Sequence, residues 1–398
     1  MTPSFALPER GEGSDPQLLE ELRNRILHNG PLPFAQFMTL ALYHPRRGYY
    51  SRRENPIGFS RGPDFYTAPA RHPAFGSLVG RQVSECLERV AGAGREWVEF
   101  GPGSGELAAP LLEELGGKGL GPGGGVACTL VESNPHRRSA QEELLRDRGV
   151  SEGVRWVSPG EWLASDERVR GCVVANEVLD AMPVHRLVFR EGRYQEILVA
   201  WDGGPVEVLG PVSSKELLEQ VWRECPAPRE DQEVETGPET HRWLRHVARR
   251  LERGYILILD YGYLAGEMHS PRHQRGTLMA YHRHEACERY LERIGLQDLT
   301  AHVNFSSLLE TAVRCGLHAR GPVPQGRFLL ALGALEWLGD SGENLTLDGY
   351  RNRKRIQDLF LPAGMGESHK AVVLATPGCD LDLTGLRPME RWDAPLGA

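Results

Sequence analysis

Apolar residues recur along this chain with two periods, and the points where the period changes mark most of its elements. Leu18, Leu19, Leu22, Ile26 and Leu27 follow helical spacing, with Asp15 as cap, Pro16 at the first position and Gly30 as terminator. Phe34–Tyr43 and the stretch from His72 to Val90 predict two further helices, and the Pro-, Gly-, Arg- and Tyr-rich residues 44–71 a long ordered loop. From Trp97 onward short apolar runs alternate with helical spacing. Strands are predicted at 97–100, 126–131, 154–157, 171–175 and 255–259, with helices near 106–115, 137–148 and 240–253. Leu187–Phe189 and Ile197–Val199 flank Gly192 as a hairpin, a helix starts at Phe305, and His369–Thr376 reads as the last strand. Buried strands alternating with helices predict a mostly parallel α/β sheet with helices on both faces, whose ligands sit at the carboxyl ends of the strands. The final twenty residues read as a poorly ordered tail.

Three such strand ends carry candidate chemistry. The first is Trp-Val-Glu-Phe-Gly-Pro-Gly-Ser-Gly over 97–105, a strand running into a turn with Gly101, Gly103 and Gly105 at alternate positions. Glycines there let backbone approach a ligand and adopt positive φ. The spacing departs from the dinucleotide fingerprint, because position 106 is Glu and the third glycine falls one place early. Glu99 would repel a pyrophosphate but favours a cation, and S-adenosylmethionine carries a sulfonium and an ammonium without phosphate. At the second strand end, Glu132 is placed to accept hydrogen bonds from ribose hydroxyls, a feature that nicotinamide dinucleotides and S-adenosylmethionine share.

The third strand ends in Asn176-Glu-Val-Leu-Asp-Ala-Met-Pro183. A capped turn before the proline explains Asn176 or Asp180 alone but does not require Asn, Glu and Asp together. Glu177 and Asp180 are candidate catalytic carboxylates that would pair with an acceptor guanidinium and hold one nitrogen in line with a methyl group. Asn176 is assigned to the methyl donor.

Composition narrows the class. With 40% hydrophobic and 25% charged residues, the 398-residue chain reads as globular, long enough for one large α/β unit with insertions. Its formal charge of −8 argues against a nucleic-acid-binding surface. Only four of its basic residues are lysine, a bias that a GC-rich genome explains. Seven scattered cysteines without a C-x-x-C pair read as reduced thiols, and the His282/His284 pair has no further ligand at metal spacing. Together with the absence of a secretory or transit pattern, this predicts a cytoplasmic bacterial protein without a metal; no apolar run is long enough to span a membrane.

At this point the chain resembles the MidA family of class I S-adenosylmethionine-dependent methyltransferases. The resemblance rests on Phe37-Met38 with Gly48-Tyr49-Tyr50, Asp64-Phe-Tyr-Thr67 with Phe75-Gly76, the turn Glu99–Gly105, the 176–183 segment and Asp260-Tyr261-Gly262. It continues through Gly276-Thr277-Leu278, Asp298-Leu-Thr-Ala-His302-Val-Asn-Phe305 and Met365-Gly366-Glu367. Departures are Pro63 where glycine is expected, Ala68 where serine is usual, and no acidic residue after Phe75-Gly76. The resemblance implies S-adenosylmethionine as cofactor, with Thr67 joining Glu99, the three glycines, Glu132 and Asn176 around it. It further implies methylation of a protein arginine, since the mitochondrial member is implicated in arginine methylation of a respiratory complex I subunit and in complex I assembly. His302 reads as structural. The expected organisation is a helical N-terminal extension and lid over 1–95, a cofactor-binding core over 96–263, an insertion covering the acceptor site over 264–304, and the rest of the core over 305–398. Two rival readings share the fold: a nicotinamide-dependent oxidoreductase and an assembly factor without turnover.

Overall fold

The computed structural model describes residues 13–52, 67–90, 92–121, 124–283, 285–339 and 346–388. Asp64 to Tyr66 of the D-F-x-T element and His284 lie outside them.

Seven strands form the main sheet: β1 Arg95–Phe100, β2 Val126–Val131, β3 Val154–Val157, β4 Val169–Asn176, β5 Leu251–Tyr263, β6 His318–Pro324 and β7 His369–Ala375. Their order is β3-β2-β1-β4-β5-β7-β6, with a short piece, Val303–Asn304, paired to the end of β5. β1 to β5 are parallel, and β7 is antiparallel to both its neighbours. The strands read as continuous apolar runs because both faces are covered. Along β5 the two faces separate residue by residue. Tyr255, Leu257 and Leu259 join the core beneath helices Ala74–Arg89, Ala108–Gly117 and Gln325–Ala331. Ile256 and Ile258 join the opposite core with Trp243, Leu244 and Val247 of helix Pro238–Arg250 and Phe305 and Leu308 of helix Phe305–Arg314.

Between β4 and helix Pro238–Arg250 lies a second, antiparallel sheet built from His185–Arg190, Arg193–Trp201, Pro205–Gly210 and Gln232–Thr236, with Leu32–Pro33 on its edge. Its first hairpin turns at Glu191 and Gly192, both at positive φ, as a tight two-residue turn demands.

The N-terminal helices Pro16–Asn29 and Phe34–Tyr43 share a core with the 264–304 segment: Leu18, Leu22, Phe34 and Met38 pack with Leu278, Ala280, Ile294 and Leu299. That segment carries its own small sheet, Met279–His282 with Glu285–Cys287 and Asp298–Thr300. Arg186 pins the junction. It is buried between Glu207 and Glu233, with its guanidinium 5.0 Å from the centre of the Phe34 ring and 4.8 Å from that of Tyr290. Gly276 and Thr277 wrap the Glu235 carboxylate, which accepts from the Thr277 and Leu278 amides; a Cβ on Gly276 would meet that carboxylate at 1.9 Å.

Two smaller expectations are corrected. Helix Ala74–Arg89 fills the stretch expected to be helical from His72 to Val90, whereas the expected loop 44–71 ends in a short helix, Ala68–Arg71, set off by His72, which is extended before Pro73. Residues 379–388 of the expected tail are packed, with Leu383 and Leu386 buried and the Gly385 amide bonded to Gln82.

Candidate active site

The sheet order reverses on either side of β1 and β4, so a crevice opens beyond their carboxyl ends. A cavity of about 850 Å³ fills it. Glu99, Gly101, Gly103, Glu132, Asn176, Glu177, Asp180 and Thr67 line it together with Tyr43, Tyr50 and Arg137. Gly105 does not reach its wall. It closes the turn, with its amide bonded to the Pro102 carbonyl and φ at 87°.

The turn after β1 leaves room for a ligand by denying it to side chains. Gly101 has φ 62°, its amide reaches the Val131 carbonyl, and a Cβ there would sit 3.0 Å from Val178. Behind it Glu99 is buried, and its Oε2 has no hydrogen-bond partner among the described residues. Burial pushes its carboxyl up to about 8. An orphaned carboxylate oxygen beside a bare turn suits a ligand bearing a cationic donor and disfavours a phosphate.

Glu132 follows β2. Its carboxylate accepts from the Asn134 amide at 2.7 Å and from Gln141 Nε2 at 3.3 Å. Burial raises its pKa, against the pull of Arg137 and these hydrogen bonds. Gln141, on helix Pro135–Asp147, also donates to the Gly103 carbonyl at 2.8 Å and accepts from Trp156 Nε1 at 2.9 Å. This one fully buried amide ties the acidic strand end to the glycine turn. The sequence reading missed it, and its only signal was a glutamine on the inward face of an amphipathic helix.

Beyond β4 the chain turns sharply. Glu177 has φ 50°, its amide donates to the Leu259 carbonyl, and its Oε1 accepts from the Ala68 amide at 2.9 Å. Burial raises its carboxyl to about 8. Asp260, fully buried, shapes the turn by accepting from the amides of Val178, Leu179 and Tyr261. Burial and the neighbouring Asp180 push its pKa well above the usual carboxylate value. Asp180 is hydrogen-bonded to the Tyr261 side chain, while its buried Oδ1 has no partner among the described residues; burial raises it to about 6. His302 packs against the Tyr261 and Tyr263 rings, and burial lowers its imidazole to about 4.

The other wall comes from N-terminal residues, and the 264–304 segment lies behind them and not on the cavity lining. Tyr43 and Tyr50 stack with ring centres 5.5 Å apart. The Tyr43 hydroxyl donates to the Ala181 carbonyl and that of Tyr50 to Asp298. Tyr50 and Asp298 were visible in the sequence only as parts of motifs, and Tyr43 and Arg137 carried no signal.

This sheet order, with a nucleoside-sized cleft, an acidic second strand end and an orphaned carboxylate at its switch point, defines a class I methyltransferase. Residues 78–323 match the family described as "Putative S-adenosyl-L-methionine-dependent methyltransferase". The chain belongs to that family, the MidA group, and is an S-adenosylmethionine-dependent methyltransferase; the oxidoreductase reading is set aside. The mitochondrial protein arginine methyltransferase NDUFAF7 homolog of Drosophila melanogaster is 33% identical, over 81% of this chain and 75% of its own. The protein arginine methyltransferase NDUFAF7 of Danio rerio, also mitochondrial, is 30% identical over 79% and 76%. A crystal structure of a "likely methyl transferase" from Burkholderia thailandensis bound to S-adenosyl-homocysteine superposes with a TM-score of 0.82 at 32% identity, covering 93% of this chain and 94% of that one. The expectation of a cytoplasmic protein is overturned by the mitochondrial assignment of the curated relatives, although the Burkholderia structure places similar proteins in bacteria as well.

Proposed function

We propose that this methyltransferase modifies an arginine side chain of a protein, with a respiratory complex subunit as the acceptor class that the family resemblance implies. One observation carries the reading: Asp180 lines the cavity with a buried, unpartnered carboxylate oxygen, on the strand end adjacent to the Glu99 turn. S-adenosylmethionine, when bound, supplies a methyl group on a positively charged sulfur. Glu99 would receive its ammonium, Glu132 its ribose hydroxyls, and Gly101, Gly103 and Asn176 would line its path, with Thr67 across the cavity. Asp180 and Glu177 would hold the acceptor guanidinium by charge-assisted bonds. As a guanidinium nitrogen bonds to the methyl carbon and the carbon–sulfur bond breaks with its pair on sulfur, Asp180 takes the proton that the nitrogen sheds. Burial raises Asp180 less than it raises Glu177, which makes Asp180 the carboxyl of the two better suited to be ionised and take that proton.

The Drosophila and Danio relatives named as protein arginine methyltransferases support the acceptor class. The test incubates the protein with methyl-labelled S-adenosylmethionine and an extract of cells lacking it, followed by hydrolysis and amino-acid analysis. Label is expected in methylarginine. Label confined to another residue type overturns the arginine reading.

A further inference from the structure

The hydrogen bonds of Asp298 among the described residues use only one of its two carboxylate oxygens. The residue lies on the strand Asp298–Thr300 of the insertion, fully buried, and its Oδ1 accepts from the Tyr50 hydroxyl at 2.7 Å and the Leu299 amide at 2.9 Å. Its Oδ2 has no partner among the described residues. A carboxylate buried with one oxygen unpaired is costly unless a cation compensates it. The same strand is joined to the catalytic turn, because the Ala301 amide donates to the Asp180 carbonyl at 2.9 Å. Asp180, 4% exposed, also keeps an unpartnered oxygen and lines the cavity.

Tyr43 and Tyr50 line the same cavity, each fixed by its hydroxyl, whereas Asp298 is not part of the lining and reaches the wall through the Tyr50 hydroxyl. Burial raises the Asp298 carboxyl to about 7, so a cation at the aromatic face is needed to hold it ionised, and a flat, delocalised cation suits such a face better than a compact, strongly hydrated ammonium. A guanidinium already sits at this wall: that of Arg137 lies 5.2 Å from the centre of the Tyr50 ring.

We propose that Asp298 is a positioning residue of the acceptor site, which sets the Tyr43–Tyr50 wall through the Tyr50 hydroxyl and supplies the charge that selects a guanidinium over an ammonium. This rests on the arginine reading above. Asp298→Asn separates charge from structure, since an asparagine oxygen can still accept from both Tyr50 and Leu299. Tyr50→Phe removes the hydroxyl and keeps the ring.

The decisive measurement is calorimetry on the full chain saturated with S-adenosylhomocysteine, using hexylguanidinium and hexylammonium as probes. The wild type is expected to bind the guanidinium at least fivefold more tightly. Asp298→Asn should remove the preference and Tyr50→Phe reduce it, with S-adenosylhomocysteine affinity within twofold and the melting temperature nearly unchanged. In the extract assay, Asp298→Asn should raise the apparent acceptor KM about tenfold or more with a smaller change in kcat. A wild type without preference, including one that binds neither probe, overturns the proposal; so does an Asp298→Asn variant that keeps it. If the preference is present and charge-dependent but label appears on a residue other than arginine, the arginine reading fails and the role of Asp298 stands.

Discussion

The carboxylate of Glu177 accepts a 2.9 Å hydrogen bond from the amide of Ala68, which joins the strained turn after β4 to the helix that starts immediately beyond Thr67. The bond needs an acceptor oxygen and does not need a charge. It therefore separates two functions of the same side chain.

Glu177→Gln should keep this contact and the fold, whereas Asp180→Asn neutralises the more acidic carboxyl of the two. With Glu177 raised to about 8 and Asp180 only to about 6, the two variants should differ. Initial rates are expected to fall about a hundredfold or more in Asp180→Asn. The fall in Glu177→Gln should be nearer tenfold, the scale of one charge-assisted hydrogen bond. Calorimetry should find S-adenosylhomocysteine affinity unchanged in both. Full activity in Asp180→Asn would exclude it from the acceptor site.

Glu132→Ala should weaken S-adenosylhomocysteine by about 1–3 kcal/mol, the cost of losing hydrogen bonds to a charged group. Gln141→Leu tests the strut behind it. That change strands the Gly103 carbonyl and Trp156 Nε1, so we expect a stability loss of about 1–3 kcal/mol by urea unfolding. Cofactor affinity should fall in parallel, although Gln141 does not line the cavity. A Gln141→Leu protein with unaltered affinity would mean that the turn holds its shape alone.

Glu99 gives the ligand-free protein a pH dependence of definite sign. Burial raises its carboxyl from 4.5 to about 8, so between those values the folded chain holds a proton that the unfolded chain has lost. Stability from this group is complete below pH 4.5 and declines as pH rises toward 8. Urea unfolding at increasing pH should show the wild type losing more stability than Glu99→Gln. Ligand binding runs the other way, because a cationic ammonium favours the ionised carboxylate. S-adenosylmethionine affinity should rise from pH 6 to about 7.5 with proton release in the wild type, and more weakly in Glu99→Gln. Equal slopes would remove Glu99 from the cationic end of the site.

Arg186→Met keeps an unbranched apolar stem and deletes the charge, which leaves Glu233 with only Arg275, 3.9 Å away, as a charged partner. Because Glu207 and Glu233 retain some contact with solvent, the loss should fall at the lower end for breaking a buried pair, about 2–3 kcal/mol by denaturation. A neutral substitution would show that the rings alone hold the junction.

What the sequence revealed about this molecule was local. The change from period two to helical spacing across Phe100 and Leu107, and the acidic residue ending each strand, are short-range signals, and they led to Glu99, Glu132, Asn176, Glu177 and Asp180 around one cavity. Tyr50 and Asp298 meet across 248 positions, and no periodicity carries that information. Asp260 looked like an ordinary strand end, because two of the three amides it accepts from belong to the turn after the neighbouring strand β4, some eighty positions earlier. The second sheet was seen only as one hairpin. Its strand Pro205–Gly210 is half-exposed and short, a weak pattern beside the apolar runs of β4 and β5.

The core shared by the N-terminal helices and the insertion also governs how the chain is made. Leu18, Leu22 and Phe34 leave the ribosome well before Leu278, Ala280 and Leu299, the residues that cover them. At ordinary synthesis rates roughly 250 intervening residues take roughly 10–50 s, during which these two helices present an uncovered apolar face. These two helices, made long before the segment that covers them, are thus completed late, and a nascent chain that stops before Ile294 leaves that face open.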